Sequence, residues 1–115
     1  MKTKLPNAKP KPKKVTITKV KTQAWEWFSK YIRLKESDSQ GMTACVTCGV
    51  IKHYKELQAG HFIPGRHNII LFDERGCHPQ CYHCNMGLKS NPRAYDAFMR
   101  KVYGQDVIRD LEIMD

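Results

Sequence analysis

Two cysteine pairs, Cys45-Val-Thr-Cys48 and Cys81-Tyr-His-Cys84, are the stretches of sequence that decide the fold of this chain. Each pair is separated by two residues, and 32 residues lie between the pairs. Thiolates with this spacing can bind one zinc ion, and the second pair completes a tetrahedron. A closed site of this kind would join parts of a short chain that apolar packing alone would hold only weakly. The pattern therefore predicts a structural zinc site with the ligands Cys45, Cys48, Cys81 and Cys84.

Zinc binding is favoured over disulfide bonds by the number and context of the cysteines. The chain has five cysteines, an odd number, and residues 1–22 contain no apolar run of the length that a signal peptide needs. We therefore expect a cytoplasmic protein, in a reducing compartment where this spacing binds metal more often than it forms disulfides. The fifth cysteine, Cys77, is expected to be half-buried, with a ligand role as the less favoured alternative. The sequence also predicts no membrane span.

The net charge of +9 is concentrated at the N-terminus. Residues 1–22 contain eight lysines and no acidic residue, whereas the other 93 residues contain 12 basic and 11 acidic side chains. Lysine and proline without aromatic residues cannot bury enough surface to fold, so residues 1–21 are predicted to form a disordered arm. Such an arm either improves solubility or neutralises nucleic-acid phosphates with release of counterions. The arm lysines expected at phosphates are Lys9, Lys11, Lys13 and Lys14.

Residues 22–115 are predicted to form one domain of helices and short strands, an α+β fold. Residues 15–20 alternate in polarity like a short strand or an extended segment. A helix is predicted to begin at the N-cap Thr22 and to end near Asp38. Trp25, Phe28, Ile32 and Lys35 follow helical spacing, and Tyr31 and Leu34 are expected to widen this apolar, core-facing side.

Between the cysteine pairs, the sequence predicts two extended segments, at residues 57–63 and 76–81. Pro64-Gly65 would end the first of them. Three helices are predicted after the second strand. The first begins near Asn85, the second runs from Pro92 to Tyr103, and the third is a short helix that contains Val107–Leu111. The cysteine pairs would then hold His61, on the first strand, and Asn85 at fixed positions, as in an active site mounted on a structural zinc.

This order of elements resembles the HNH, or ββα-metal, nucleases, and more closely the phage NinG/Rap family of recombination endonucleases. The resemblance covers about residues 22–112 and leaves the lysine-rich arm outside. It implies a small ββα-metal core, stapled by zinc and flanked by helices. The segments that carry it are residues 27–34, 45–49, 59–63, 72–75, 78–85 and 103–104.

The resemblance implies a metal-dependent DNA endonuclease that hydrolyses phosphodiester bonds in branched recombination intermediates, such as Holliday junctions or D-loops. His61 would be the general base, and Asn85 would bind a catalytic Mg²⁺ or Mn²⁺. The wider HNH pattern often has an aspartate ligand immediately before the histidine, where this chain has Gly60. The candidates for a further metal ligand are therefore Asp73, Glu74 and His78.

Three basic residues flank the proposed site and are candidates for contacts with DNA phosphates, although each can equally be an ordinary surface charge. They are Lys89, Arg66 and Arg93. The expected partner is DNA, in the cytoplasm of the host cell if a phage encodes the chain, and paired cuts across a junction would suit a homodimer. The alternative is a non-catalytic zinc module that binds nucleic acid. The placement of both His61 and Asn85 next to the cysteine pairs favours the enzyme, because a binding module does not require it.

Overall fold

The fold combines helices with two small antiparallel sheets, and the computed structural model describes residues 16–64 and 70–115. Short 3₁₀ turns lie at Tyr54–Glu56 and Glu74–Gly76. Within the described residues, no helix has the length and apolar character needed to cross a membrane. The regular elements in chain order are α1 (Ile17–Lys35), β1 (Met42–Ala44), β2 (Ile51–His53), β3 (Gln58–His61), β4 (Cys77–Gln80), α2 (Pro92–Val102) and α3 (Gln105–Met114). The predicted α+β class is confirmed.

Helix α1 begins earlier than the sequence predicts. Its N-cap is Thr16, whose hydroxyl accepts a hydrogen bond from the backbone N–H of Lys19 at 3.1 Å. The prediction of Thr22 as N-cap and that of an extended segment over residues 17–20 are therefore wrong, because Thr16 supplies the cap six residues earlier. Residues 17–21, assigned to the disordered arm, are helical. Residues 1–15, with the four arm lysines, lie outside the described residues.

Each sheet is a two-stranded hairpin. Strand β1 pairs with β2, and the first cysteine pair lies in the turn between them, a hairpin that the sequence analysis missed. Strand β3 pairs with β4 so that Gly60 lies opposite His78 and His61 lies opposite Cys77. These two strands confirm the predicted extended segments. Side chains alternate between the faces of a strand, so His61 projects from the same face of the β3–β4 hairpin as Ala59 and Cys77.

Helices cover both faces of the β3–β4 hairpin. On one face, Ile32 of α1 is buried against Ala59 and Cys77, with Trp25 and Phe28 packed beside them. The predicted packing of Trp25, Phe28 and Ile32 is thus confirmed, but Tyr31 and Leu34, expected to widen the core-facing side, are exposed because they lie on another side of the helix. On the other side, α2 and α3 form a second apolar cluster of Tyr95, Met99, Ile108 and Leu111. The hairpin is therefore the central layer of the domain.

The segment after the second cysteine pair differs from the predicted helix. Only His83–Gly87 is helical, as a single π-helical turn, and Lys89, Ser90 and Asn91 then adopt left-handed backbone conformations. A hydrogen bond from β4 holds this irregular segment: Gln80 Nε2 donates to the Ser90 carbonyl at 2.9 Å. Helix α2 then begins at Pro92, as predicted from the Asn91-Pro92 dipeptide. Asn85 therefore lies on a short turn that long-range contacts fix.

Candidate metal centre and active site

The four paired cysteines converge on one point. Their Sγ atoms all lie within 4.8 Å of one another, and Cys48 Sγ lies 3.7 Å from Cys81 Sγ. Zinc–sulfur bonds of about 2.3 Å in a tetrahedron separate the sulfur atoms by about 3.8 Å, so the observed spacing suits this geometry. The four cysteines can thus hold a metal ion such as zinc.

Hydrogen bonds and mutual repulsion govern ionisation in this cluster. Burial opposes ionisation of the Cys45 thiol, but hydrogen bonds from the Thr47 hydroxyl and from backbone N–H groups outweigh it and lower the pKa of Cys45 to about 6. A hydrogen bond from the Val50 backbone favours the Cys48 thiolate, but burial and the other sulfur atoms outweigh it and raise the pKa of Cys48 to about 12. The cluster therefore does not ionise fully on its own, and a bound divalent metal would supply the positive charge that four thiolates need.

Cys77 lies apart from this cluster, in the apolar core between α1 and the β3–β4 hairpin. It is fully buried, more than the half-burial expected, and burial raises the pKa of its thiol to about 12. A thiol that stays protonated in an apolar environment is a packing residue and not a metal ligand. The preferred interpretation of Cys77 as a packing residue is confirmed.

His61 is the last residue of β3, and two contacts fix its imidazole. Its Nε2 lies 3.0 Å from the carbonyl oxygen of Leu71, and its ring stacks on Trp25 of α1 with a centroid separation of 5.1 Å. A carbonyl oxygen only accepts hydrogen bonds, so Nε2 carries the proton in neutral His61. The lone pair of the neutral ring is then on Nδ1, which is the nitrogen that can act as a base.

Asn85 approaches the hairpin at the residue beside His61. A Cβ atom built on Gly60 would lie 3.0 Å from Asn85 Oδ1, so the amide oxygen lies over the backbone of Gly60. The other end of the amide is held by Gln58, because Asn85 Nδ2 donates to Gln58 Oε1 at 2.7 Å. This contact fixes which amide atom is directed at Gly60. His61 and Asn85 therefore lie at the same end of β3, and Asn85 lines one surface cavity with Trp25, which stacks on His61.

Gln80 fills the space that a side chain at position 60 would occupy. Its Oε1 would lie 1.8 Å from a Cβ built on Gly60, and this buried oxygen has no hydrogen-bond partner. Its Nε2 donates to Thr47 Oγ1 at 3.1 Å and to the Ser90 carbonyl at 2.9 Å, so the amide cannot turn. Glycine at position 60 is thus a steric requirement, and the oxygen meets the Gly60 Cα–H instead of an N–H donor.

The three further ligand candidates have other partners. Both oxygens of Asp73 bind the Arg75 guanidinium, at 3.0 and 2.8 Å, and Arg75 holds the pKa of Asp73 below its ordinary value. Glu74 is exposed and accepts a hydrogen bond from Tyr31, which raises the pKa of Tyr31. Neither carboxylate is directed at Asn85 by these contacts.

His78 is buried in a chain of hydrogen bonds. The Tyr95 hydroxyl donates to the Gly60 carbonyl at 2.6 Å, so it accepts at 3.1 Å from His78 Nδ1. His78 Nε2 then accepts from the Tyr103 hydroxyl at 2.7 Å. Burial, with a smaller contribution from Lys35, lowers the pKa of His78 to about 4. Because both ring nitrogens are engaged, His78 braces the backbone of Gly60.

The basic candidates fall into two groups. Lys89 and Arg93 are exposed, and they lie on the segment that follows Asn85, in the left-handed turn and in the first turn of α2. Arg66 lies outside the described residues, as do Lys9, Lys11, Lys13 and Lys14. The described part of the site therefore offers two accessible cations close in sequence to Asn85.

A comparison with protein families identifies the group to which the sequence is related. Residues 2–115 match the family model described as NinG, bacteriophage lambda NinG protein. The chain belongs to the NinG family. The match extends almost to both ends, so the expectation that the family resemblance excludes the lysine-rich arm is wrong. Comparison with curated proteins gave no match, and comparison with solved structures gave none either.

Several residues of the NinG-family site were not found from the sequence. Gln58 orients Asn85, Gln80 fills the space over Gly60, and Trp25 stacks on His61. None of them belongs to a recognisable motif. The one sequence feature that could have indicated Gln58 and Gln80 is that both are polar residues in segments predicted to be strands, and the two residues pair directly across β3 and β4.

Proposed function

We propose that this NinG-family protein is a metal-dependent DNA endonuclease of the HNH type, with a ββα-metal core. Its substrates are branched recombination intermediates, Holliday junctions or D-loops, in the cytoplasm of a phage-infected cell. The observation that carries the proposal is the approach of Asn85 Oδ1 to Gly60, the residue next to His61. Hydrolysis of a phosphodiester needs a base and a metal ligand close to one phosphate, and His61 and Asn85 lie at the same end of β3.

His61 acts as the general base in this proposal. The Leu71 carbonyl holds the Nε2 proton, so His61 Nδ1 can accept a proton from the attacking water. The stacked Trp25 ring limits rotation of the imidazole. A base that is oriented before substrate binds loses less entropy on reaching the transition state.

Asn85 Oδ1 is the residue atom that would hold the catalytic Mg²⁺ or Mn²⁺. Asn85 Oδ1 is a hard, neutral oxygen donor, which is the chemistry that such ions prefer. When bound, the ion would neutralise charge on the scissile phosphate and the leaving oxygen. Because Asp73 and His78 are engaged elsewhere, water and phosphate oxygens would complete the coordination.

We further propose that the four-cysteine cluster binds a structural zinc. It connects the β1–β2 hairpin to the turn that carries Asn85, and a hydrogen bond from Val46 N to the Pro79 carbonyl at 3.0 Å joins the same hairpin to β4. The Asn91 side chain also donates to Cys84 Sγ at 3.7 Å. Zinc binding would thereby fix Asn85 relative to β3.

DNA affinity is proposed to come from Lys89 and Arg93 and from the lysines of residues 1–15. Removing one lysine that neutralises a phosphate should reduce the slope of log affinity against log salt by about 0.9 on duplex DNA. Deleting residues 1–15 should therefore flatten the salt dependence while leaving the domain folded. An unchanged slope would mean that the arm serves solubility alone.

The deciding experiment incubates the purified protein with a labelled four-way junction and with a linear duplex, each with Mg²⁺. We expect cleavage of the junction, with products that carry 5′ phosphates. His61→Ala should reduce the cleavage rate by about 10²–10⁴ while metal content and DNA affinity stay close to wild type. Asn85→Ala should also cleave slowly, and raised Mg²⁺ or Mn²⁺ should recover part of the rate.

The matched control is His83→Ala, which removes an exposed histidine of the second cysteine pair. It should cleave at the wild-type rate if it retains the metal. Wild-type cleavage by His61→Ala would exclude this mechanism. DNA binding without any cleavage would instead support the alternative, a non-catalytic zinc module.

A further inference from the structure

Helix α1 carries an apolar stripe that its own domain does not bury. Successive residues of the stripe are three, four, three, four and three positions apart, which is the a/d spacing of a coiled coil. We call this stripe the α1 seam. Its residues are Ile17, Val20, Ala24, Trp27, Tyr31 and Leu34.

The α1 seam is separate from the side of α1 that packs on the domain. Trp25, Phe28 and Ile32 face the hairpin, whereas every residue of the seam is exposed. Ile17 is 88% exposed and Trp27 is 73% exposed. Single exposed apolar residues are ordinary, but a continuous stripe over five turns of helix with a tryptophan at its middle indicates an interaction surface.

We propose that the α1 seam binds the α1 seam of a second copy of this chain, with the two helices antiparallel. The sequence positions are symmetric about the midpoint between Ala24 and Trp27. Antiparallel pairing therefore places Ala24 of one copy opposite Trp27 of the second copy, and Ile17 opposite Leu34 of the second copy. The small alanine leaves room for the large indole, so the layers can pack without a void.

The flanking charges select the antiparallel orientation. Lys30 and Lys35 occupy the positions that flank the seam, g and e of the heptad. In a parallel pair, Lys30 of each copy would therefore lie next to Lys35 of the other copy, which makes two contacts between like charges. In the antiparallel pair, Lys30 lies beside Gln23 of the second copy, and Lys21 lies beside Phe28 of the second copy. The antiparallel arrangement thus avoids contact between like charges within the described residues of α1.

The area is sufficient for a dimer. At the observed exposed fractions, the side chains of the α1 seam offer roughly 600 Å² per chain, so two copies would bury roughly 1,200 Å², at the lower limit for specific interfaces. The seam lies outside the proposed catalytic residues, and a dimer would bring two sites to one DNA molecule.

The test measures the mass of the full-length, metal-loaded protein by light scattering over a range of concentrations. Wild type should approach twice the 13.4 kDa of one chain as its concentration rises. Trp27→Asp should raise the dissociation constant at least about 30-fold, because a buried central tryptophan is replaced by a charge. Val20→Asp, in the same seam, should also weaken the dimer.

The control is Ile113→Asp, which replaces an isoleucine of α3 that is 74% exposed and should leave the dimer intact. Circular dichroism should report unchanged helix content in all three variants, because the side chains are exposed in the monomer. Lys30→Glu tests the orientation: it should leave an antiparallel dimer nearly unchanged, whereas clearly tighter association would show parallel pairing and overturn the proposed arrangement. A wild-type mass of 13.4 kDa at every concentration would overturn the dimer itself, as would a Trp27→Asp variant that dimerises like wild type.

Discussion

The cysteine cluster and the β3–β4 hairpin are neighbours in the domain, but different forces hold them. The cluster buries three of its four cysteines with Leu57 and few other apolar groups. The hairpin is covered by α1 on one face and braced on the other by the chain from Tyr103 through His78 and Tyr95 to Gly60. The first region could hold a metal and would then depend on it, whereas the second depends on packing and buried hydrogen bonds.

This difference assigns separate tasks to the two regions. Few apolar contacts around the cluster mean that its geometry is stable only when the repulsion between thiolates is neutralised. The hairpin keeps its register without a metal, because its side chains are enclosed on both sides. The cluster would therefore set the position of Asn85, while the hairpin sets that of His61.

The largest expected effect comes from Cys81→Ser. With one thiolate missing, the cluster should lose its metal, and because metal binding contributes to folding free energy the protein should unfold or become strongly destabilised. Cys77→Ala is the matched control within the hairpin. It should retain the metal and lose only about 1 kcal/mol of stability, through a small cavity. Elemental analysis measures the metal content of both variants, and thermal unfolding measures their stability. A folded, metal-free Cys81→Ser protein of wild-type stability would refute the assignment of Cys81 as a ligand of a structural metal.

Acid should weaken the hairpin through His78. Its pKa is about 4 in the folded protein and 6.5 when unperturbed, so the unfolded chain binds more protons between these values. Stability should therefore be retained above pH 6.5 and fall by about 3 kcal/mol as the pH approaches 4. The cysteine cluster would also respond to acid, so the measurement is the difference between wild type and His78→Gln. If the two proteins showed parallel pH profiles in urea unfolding, His78 would not be the titrating group.

Gly60→Ala tests the close contact with Gln80. The new methyl group would overlap Gln80 Oε1, whose amide is held by Thr47 and Ser90, and we expect a loss of about 1–3 kcal/mol. Gln80→Ala in the same chain should relieve the overlap, so the double variant should be more stable than the sum of the single effects predicts. Simple additivity in denaturant unfolding would contradict the contact.

The smallest effect on stability is expected from Gln58→Leu. This change removes the acceptor that orients the Asn85 amide, on a half-buried surface, and should cost less than about 1 kcal/mol of stability. Under the proposed function, the Mg²⁺ concentration needed for half-maximal cleavage should rise about 10-fold or more. Gln58→Glu, which keeps an acceptor, should restore most of the wild-type Mg²⁺ dependence. An equal effect of both variants would assign Gln58 a role other than orientation.

The local sequence pattern was sufficient to predict β3, β4 and α2. The start of α1 and the segment after Asn85 were predicted wrongly from the sequence. The Asn91-Pro92 dipeptide marks the start of α2 because proline fits the first turn of a helix. The start of α1 was misplaced by six residues, because Thr16 and Thr22 are equally good caps in isolation. The helix expected after Asn85 is only one turn, because Gln80, from β4, binds the Ser90 carbonyl.

The sequence by itself determined the cysteine spacing, the packing of Trp25, Phe28 and Ile32, the location of His61 between the cysteine pairs and that of Asn85 directly after the second pair. Only the tertiary structure decided that Gln80 occupies the space over Gly60, that Gln58 orients Asn85, and that Leu71 and Trp25 hold the His61 ring. Spacing and periodicity describe neighbours along the chain. These contacts instead join residues 10 to 36 positions apart, and they depend on the register of β3 against β4 and on the packing of α1.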